Sequence, residues 1–325
     1  LWQAKQLAEE ELLIKQGLIG VSVAPNGRIR LYLESEQVDV PQTFQGYRVE
    51  KIVTDKIKAL SLPQASIGYI RGQEISKQDR ARPCPGGMSI GHYSITAGTF
   101  ACIVFDSKTG EPLILSNNHV LAASNKGVEG DAILQPGAYD GGKDPDDKIA
   151  TLLRFMELKP YPGATNLVDA AVARPVSPDL VSPEVLDIGA VTGMEQAVEG
   201  MKVQKSGRTT CATTAIVNDV NATVKVSYPF GDAAFEDQVM TGLLGQPGDS
   251  GSCVVNAGTR KAVGLLFAGS SSITVLNKMS NVCNLLGVRF GVAPAEMAPW
   301  PAILALQLPF AFGTFLLMYG QEGGI

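Results

Sequence analysis

Apolar and polar positions follow a short-range pattern along most of the chain. From residue 93 to about 290, brief apolar runs recur between glycine, proline and aspartate turns, a spacing typical of a β-sandwich or β-barrel. These runs include TFACIVFD, EPLILS, DAAVARPV, VKVSYPF, GSCVVN and KAVGLLFAG. By contrast, NKMSNVCNLLG near 277–287 has apolar residues at helical spacing. The pattern therefore predicts a mainly β region that contains one helix near its end.

The N-terminal part of the chain has a different pattern. Residues 2–16 alternate apolar and polar positions at helical spacing, which predicts an amphipathic helix. In LIGVSVAPNGRIRLYLES, Asn26 and Gly27 lie between two apolar runs and predict a β-hairpin. A further strand is predicted over 46–53. We therefore expect a small α+β domain over 1–70, whose removal would change solubility more than chemistry.

Two segments flank the β region. Residues 71–92 are rich in proline, glycine and mixed charges, which predicts an exposed linker, with a regulatory or cleavable segment as the alternative. Residues 291–325 form an apolar tail, in which 301–320 carry no charge and meet the length criterion for a membrane span. Two prolines and a glutamine weaken that interpretation. The tail is predicted to be a membrane anchor, an apolar tail buried against the protein or a partner, or a sequence outside the native reading frame.

Composition narrows the class of protein. The chain has 325 residues, enough for about two domains. It is 45% hydrophobic and 18% charged, which allows a large core and excludes global disorder. The 35 glycines and 19 prolines favour a turn-rich β protein over a helix bundle. The net charge of -5 argues against a general nucleic-acid binder.

Cysteine and histidine usage limits the available chemistry. Five cysteines without a CxxC pair argue against a disulfide framework and a zinc ribbon. His92 and His119 are the two histidines, which argues against a multi-histidine metal site. No secretory signal opens the sequence, so we expect a cytoplasmic protein, associated with membranes if the tail is an anchor. The oligomeric state is left open.

Three segments carry candidate chemistry. His119 follows an apolar strand in LILSNNHVLA, and Asp169 lies inside the apolar run VDAAVA, where a carboxylate needs a partner such as a histidine N–H. Ser250 lies in a glycine-rich turn whose Gly248 and Ser250 amides can form an oxyanion hole. Taken singly, each has a structural alternative: a histidine bonded to a carbonyl, a strand-end aspartate bonded to amides, or an ordinary turn.

Together the three residues indicate nucleophilic catalysis. A serine hydroxyl needs a base to remove its proton, and the base needs an acid that fixes its tautomer and stabilises its protonated form. A histidine, an aspartate and a serine occur in that order, each beside a strand-like run. Their separations would place the first two on one barrel and the third on a second.

The segments SNNHVLA, VDAAVA and GQPGDSGS resemble the motifs of the trypsin-like (chymotrypsin-fold) serine peptidases over about 93–290. The wider arrangement, with AGTF, ILQPGAYDGG and KSGRTT, is similar to uncharacterised bacterial members that carry a small N-terminal domain. The resemblance implies a two-barrel fold in which His119 is the general base, Asp169 its orienting acid and Ser250 the nucleophile. It implies polypeptide substrates and no metal or organic cofactor.

The same resemblance assigns part of a substrate cleft. Leu244 would lie near the base of the specificity pocket, while Phe267, Ala268 and Gly269 would line its wall and pair with a peptide backbone. Since no acid occupies the pocket base, we expect a small or apolar side chain there rather than lysine or arginine. The resemblance also implies that Asp249 would pair with a new N-terminus formed on activation, and no such N-terminus is evident in the sequence. The oxyanion hole is therefore expected to be preformed or ordered in another way.

We therefore predict a serine endopeptidase that acts through an acyl-enzyme intermediate. The alternative is a catalytically silent protein of the same fold that binds peptides in its cleft. His92 is expected to be structural, with a substrate contact as the alternative. Arg208 is expected to have a surface or turn role, with a bond to a carboxylate near the cleft as the alternative. The acidic loop 140–147 is expected to be solvated rather than a calcium site.

Overall fold

The computed structural model describes residues 1–60, 67–70, 73–95 and 97–291. One helix and seven strands come first: α1 (Trp2–Glu11), β1 (Leu18–Val23), β2 (Ile29–Leu33), β3 (Thr43–Phe44), β4 (Tyr47–Val53), β5 (Lys58–Ala59), β6 (Ile67–Ile70) and β7 (Gln73–Ser76). The next group is β8 (Cys84–Gly86), β9 (Ser89–His92), β10 (Gly98–Thr99), β11 (Ile103–Asp106), β12 (Pro112–Ser116), α2 (Asn118–Leu121), β13 (Ala132–Leu134), β14 (Lys148–Phe155), β15 (Thr165–Asn166) and β16 (Ala171–Pro175).

The last group of elements contains the longest strands. It consists of β17 (Val181–Val185), β18 (Gly189–Ala190), β19 (Lys202–Gly207), β20 (Cys211–Tyr228), β21 (Gly231–Gly242), β22 (Cys253–Asn256), β23 (Ala262–Gly269), β24 (Ile273–Lys278), α3 (Met279–Leu286) and β25 (Val288–Arg289). Short 3-10 turns cover Ala138–Asp140 and Pro178–Leu180. The apolar runs of the sequence thus form strands, and NKMSNVCNLLG forms α3, as predicted.

The first large sheet has eight strands in the order β10-β9-β13-β14-β16-β12-β11-β25. Neighbouring strands are antiparallel, and β12 pairs with β16 in the register Ser116↔Ala171. One face of this curved sheet packs around a cluster of buried aliphatic and aromatic side chains, among them Phe100, Ile133 and Leu152. This pairing places the last residue of β12 beside the first residue of β16. His119 follows the end of β12, and Asp169 precedes the start of β16.

The second large sheet closes on itself. Strands β21, β24, β23, β22, β19 and β20 are hydrogen-bonded in this order, and β20 also pairs with β21. Closure of the ring leaves no free edge within it. A curved sheet beside a closed ring confirms the predicted mainly β, two-barrel fold class. A buried cluster with members from both sheets and α3, including Leu115, Leu265 and Met279, lies between them.

The N-terminal strands continue the second sheet. Strand β1 pairs with β20 in the register Gly20↔Val224, and β2, β4 and β3 follow outward. The predicted helix, hairpin and strand are all present, and they have a small apolar cluster of their own that includes Ala8 and Leu31. Because these strands share a sheet with the ring, an independent domain over 1–70 stays a prediction.

The exposed linker predicted over 71–92 is contradicted over its last nine residues. Residues 84–92 are buried, and β9 pairs with both β10 and β13 inside the first sheet. The glycines that suggested an open connector allow close packing instead. A Cβ on Gly86 would lie 2.4 Å from the Ala101 carbonyl oxygen.

The predicted tail over 291–325 lies outside the described residues except for its first residue. Among the described residues, no helix is long and apolar enough to cross a membrane.

Candidate active site

A four-residue helix holds His119 at the end of a buried strand. Strand β12 ends at Ser116, whose hydroxyl donates to the Thr99 carbonyl at 2.8 Å, and α2 begins two residues later. The Asn118 amide group donates to Asn125 Oδ1 at 2.8 Å and to the Met156 carbonyl at 2.7 Å. These bonds fix the turn, and His119 is left 8% exposed.

Asp169 lies two residues before β16, the strand next to β12, and contacts His119 inside the core. The two are joined by a 2.5 Å contact between His119 Nδ1 and Asp169 Oδ2. The His119 backbone N–H also donates to Asp169 Oδ1 at 3.2 Å. Asp169 is fully buried, so these bonds offset part of its desolvation. A carboxylate at this place selects the imidazole tautomer with a proton on Nδ1.

Three further side chains surround Asp169. The Tyr228 hydroxyl donates to Asp169 Oδ2 at 2.7 Å. Asn277 Oδ1 accepts from the Asp169 amide at 3.0 Å, and the Asn117 side chain donates to the Asp169 carbonyl at 2.7 Å. Burial, helped by the nearby carboxylate, raises the pKa of Tyr228 well above its usual range, so its hydroxyl stays a donor. Tyr228 was not predicted from the sequence, because it lies within the run VKVSYPF as an ordinary strand aromatic.

The turn that carries Ser250 and the helix that carries His119 both lie against Gly98. The Thr99 amide donates to the Ser250 carbonyl at 2.7 Å. A Cβ on Gly98 would lie 2.5 Å from Val120 Cγ2 and 3.0 Å from the Ser250 carbonyl oxygen. Ser250 and the residue after His119 are therefore both adjacent to Gly98. Gly98 is thus a shared neighbour of the two segments that carry the predicted nucleophile and the predicted base.

The serine hydroxyl and the imidazole are not bonded to each other in this structure. Ser250 Oγ donates to the Phe267 carbonyl at 3.3 Å. His119 Nε2 is buried and has no hydrogen-bond partner among the described residues. The base and its acid are thus assembled, and the imidazole nitrogen that a nucleophile would use is unoccupied.

A lysine neutralises the carboxylate beside the nucleophile. Asp249 is fully buried, with Lys205 Nζ 3.2 Å from its Oδ2. The Thr209 and Thr210 amides donate to Asp249 Oδ1 at 2.9 and 3.1 Å, and the Gln246 amide donates to Oδ2 at 2.9 Å. Burial lowers the pKa of Lys205, while the Asp249 carboxylate opposes this shift. The Lys205 ammonium thus pairs with Asp249, for which the sequence shows no new N-terminus as a partner.

A segment of the N-terminal region lies along the predicted cleft wall. Strand β5 pairs antiparallel with β23 in the register Ala59↔Ala268 and Lys58↔Gly269. The Leu60 amide then donates to the Phe267 carbonyl at 3.3 Å. All three predicted wall residues therefore take part in backbone pairing with a segment of the same chain, and their pairing with a substrate stays a prediction.

The predicted oxyanion turn and pocket base contact the same segment. The Gly248 amide donates to the Leu60 carbonyl at 3.1 Å. Gly248 has a φ of +96°, and a Cβ there would lie 2.3 Å from Thr209 Oγ1, so glycine alone fits. Leu244 is buried and belongs to the same apolar cluster as Leu60.

The other residues from the sequence analysis have structural partners. His92 is buried on β9, with Nε2 2.9 Å from Asp131 Oδ2 and Nδ1 2.7 Å from Ser94 Oγ, as a structural histidine would be. The predicted surface role of Arg208 is wrong. Its side chain is buried and donates from Nε to Asp140 Oδ2 at 2.9 Å. Asp140, the first residue of the acidic loop, is therefore paired with Arg208 and not solvated.

Several solved structures match the chain at low sequence identity. They include a protease from Nocardiopsis (TM-score 0.46, 20% identity, 63% of this chain and 97% of that one). Protease A of Thermobifida fusca has a TM-score of 0.46 and 19% identity over 65% of this chain and 98% of that one. A chymotrypsin from Cellulomonas bogoriensis has a TM-score of 0.45 and 18% identity over 64% and 98%.

No family model and no curated protein matches the chain. At these identities and TM-scores, the structural matches establish no activity for it. The strand pairing described above stands independently of them. The matched proteins are two proteases and a chymotrypsin, and their likeness to this chain concerns the fold alone.

Proposed function

We propose that the protein is a serine endopeptidase that hydrolyses polypeptides through an acyl-enzyme intermediate. The observation that carries this proposal is the buried hydrogen bond between His119 and Asp169. A buried carboxylate costs several kcal/mol unless it has partners, and here an imidazole is one of them. This arrangement favours a role for His119 as a base over a purely structural role, because its Nε2 has no partner among the described residues.

The proposed reaction begins with attack of Ser250 Oγ on a peptide carbonyl carbon. His119 Nε2 accepts the hydroxyl proton, and the Nδ1 proton stays directed at Asp169. The Gly248 and Ser250 amides stabilise the negative charge on the former carbonyl oxygen. His119 then gives its proton to the leaving amine, and water, activated by the same imidazole, hydrolyses the acyl-enzyme.

This chemistry requires two changes from the described geometry, one at the serine and one at residues 58–60, which occupy the predicted cleft wall and bond the Gly248 amide. Ser250 Oγ must leave the Phe267 carbonyl and donate to His119 Nε2. Catalytic hydrogen bonds often tighten only when substrate binds, so such a change is ordinary for an enzyme of this kind. The reaction needs no metal. No group of three or more His, Cys, Asp or Glu side chains able to hold one was found in the part of the chain that is described.

One observation supports the alternative of a catalytically silent peptide-binding protein: Ser250 Oγ donates to the Phe267 carbonyl and not to His119. A fluorophosphonate probe separates the two functions, because it reacts with an activated serine. The full chain, Ser250→Ala and His119→Ala would be incubated to completion, and the added mass located by mass spectrometry.

We expect one probe per chain on Ser250 in the wild type and none in either variant. Hydrolysis of an unfolded protein substrate should fall by roughly 10⁵-fold or more in Ser250→Ala. Folded wild-type protein that stays unlabelled, or Ser250→Ala that is labelled equally, would overturn the proposal. Circular dichroism serves as the control for folding.

A further inference from the structure

We infer that residues 58–60 occupy the substrate cleft as the acyl half of a polypeptide substrate does, with Leu60 in the specificity pocket. This inference rests on the proposed function and extends it in two ways. It names the substrate class, a polypeptide with leucine or a similar apolar residue before the cleaved bond. It also makes the N-terminal region a competitor of external substrates.

The backbone contacts form a complete substrate-like register. Two residues of the segment pair with the cleft strand, through Lys58↔Gly269 and Ala59↔Ala268. The Leu60 amide donates to the Phe267 carbonyl, and the Leu60 carbonyl accepts from the Gly248 amide at 3.1 Å. The proposed oxyanion donor is thus bonded to the oxygen that would carry charge if the Leu60 carbonyl carbon were attacked. Main-chain pairing between an extended segment and a strand supplies binding affinity, while pockets select side chains.

The side chain of Leu60 defines the pocket. It is 6% exposed and belongs to one apolar cluster with Leu244 and Leu266. Its Cδ1 lies 3.6 Å from the position that a Cβ on Gly269 would take, which is ordinary van der Waals contact. A pocket with these walls fits a branched aliphatic side chain. A lysine, arginine or glutamate side chain would bury a charge in it, at a cost of several kcal/mol.

The segment is also held upstream of the cleft. The Ser227 amide donates to the Ile57 carbonyl at 3.0 Å, and the Ile57 side chain is fully buried beside Tyr228 in a separate apolar cluster. The chain therefore reaches the cleft as an anchored strand, which lowers the entropy lost when Leu60 binds. Removal of 1–70 is then expected to raise activity, contrary to the sequence-based expectation of a solubility effect.

The test measures peptide binding in the absence of turnover. Full-length Ser250→Ala protein is titrated with the labelled tetrapeptide Ile-Lys-Ala-Leu, which copies residues 57–60, and binding is followed by fluorescence anisotropy. In a Leu60→Arg/Ser250→Ala variant the segment should leave the pocket. We expect this variant to bind the peptide about tenfold or more tightly than Ser250→Ala alone, since one apolar pocket contact is commonly worth that factor.

Matched controls separate cleft occupancy from a general effect of added charge. Val53 is exposed on β4, so Val53→Arg in the Ser250→Ala background adds the same charge outside the cleft and should bind as Ser250→Ala does. The peptide Ile-Lys-Ala-Arg should not bind. If Leu60→Arg does not fold, Leu60→Gly removes the side chain without adding charge. Equal affinity with and without Leu60, or equal affinity for both peptides, would overturn the inference.

The proposed function is tested separately in the active background. If Leu60→Arg reacts with the fluorophosphonate faster than wild type, both the inference and the proposed function are supported. If neither chain reacts although the binding difference is present, the inference stands and the proposed function fails. If both react at the same rate, the function stands and the competitor role fails.

Discussion

The two buried carboxylates of the candidate site are satisfied in different ways. Asp249 has the Lys205 ammonium 3.2 Å away, in addition to three backbone amides. Asp169 has His119 and the neutral Tyr228 hydroxyl, and no lysine or arginine pairs with it among the described residues. The charge of Asp249 is therefore neutralised permanently, whereas that of Asp169 is balanced only when His119 is protonated. A carboxylate of the first kind holds a turn in place, and one of the second kind can stabilise a transient imidazolium.

The largest expected effect tests the functional side of this comparison. Asp169→Asn keeps the size of the side chain and removes the negative charge that faces His119 Nδ1. We expect kcat to fall by roughly 10³–10⁴-fold, because the amide neither fixes the correct tautomer nor stabilises the imidazolium. Peptide hydrolysis and thermal unfolding would be measured together. Activity within tenfold of wild type in a folded variant would show that Asp169 has no such role.

The second effect tests the structural side. Lys205→Met leaves the Asp249 carboxylate buried without its cation, and breaking such a pair costs about 3–5 kcal/mol. We expect this loss in the free energy of unfolding in urea. Lys202 is exposed on the same strand, so Lys202→Met is the matched control and should change stability little. Adding Asp249→Asn to Lys205→Met should restore part of the loss, because the acceptor oxygen stays and the unpaired charge is removed. Unchanged stability in Lys205→Met would contradict the assigned anchoring role.

The sequence was most informative where a local pattern decides the outcome. The apolar run before His119, the carboxylate inside VDAAVA and the glycines around Ser250 each place a functional side chain next to a strand end. A mainly β fold also follows from short runs between turns. These features depend on a few consecutive residues, so one sequence is enough to predict them.

The contacts that the sequence did not predict are all long-range. Residues 84–92 have the composition of a linker, and the place of β9 (Ser89–His92) in the first sheet depends on pairing with β13, which lies about forty residues later. The positions of Leu60 and Lys205 depend in the same way on how the ring of strands closes. Register over such distances is set by the packing of both partners, and no local pattern encodes it.

Tyr228 belongs to this second class and gives the smallest expected effect. Tyr228→Phe removes one buried hydroxyl that donates to Asp169 at 2.7 Å. We expect kcat/KM to fall by about tenfold, which corresponds to one hydrogen bond to a charged group. Without this donor, the Asp169 charge is satisfied more by the His119 proton. The acid limb of the kcat/KM profile should then move to higher pH.

A second buried tyrosine provides the control for Tyr228. The Tyr32 hydroxyl donates to Asp219 Oδ2 at 3.1 Å, among residues of the N-terminal strands and β20. Tyr32→Phe therefore also removes a hydroxyl from a buried carboxylate, and it should lower stability without moving the pH profile. A profile that moves in Tyr228→Phe alone would identify Tyr228 as a positioning residue for the His119–Asp169 pair. Equal profiles in both variants would reduce its role to packing, because a loss of fold stability does not change which protonation state of the folded enzyme is active.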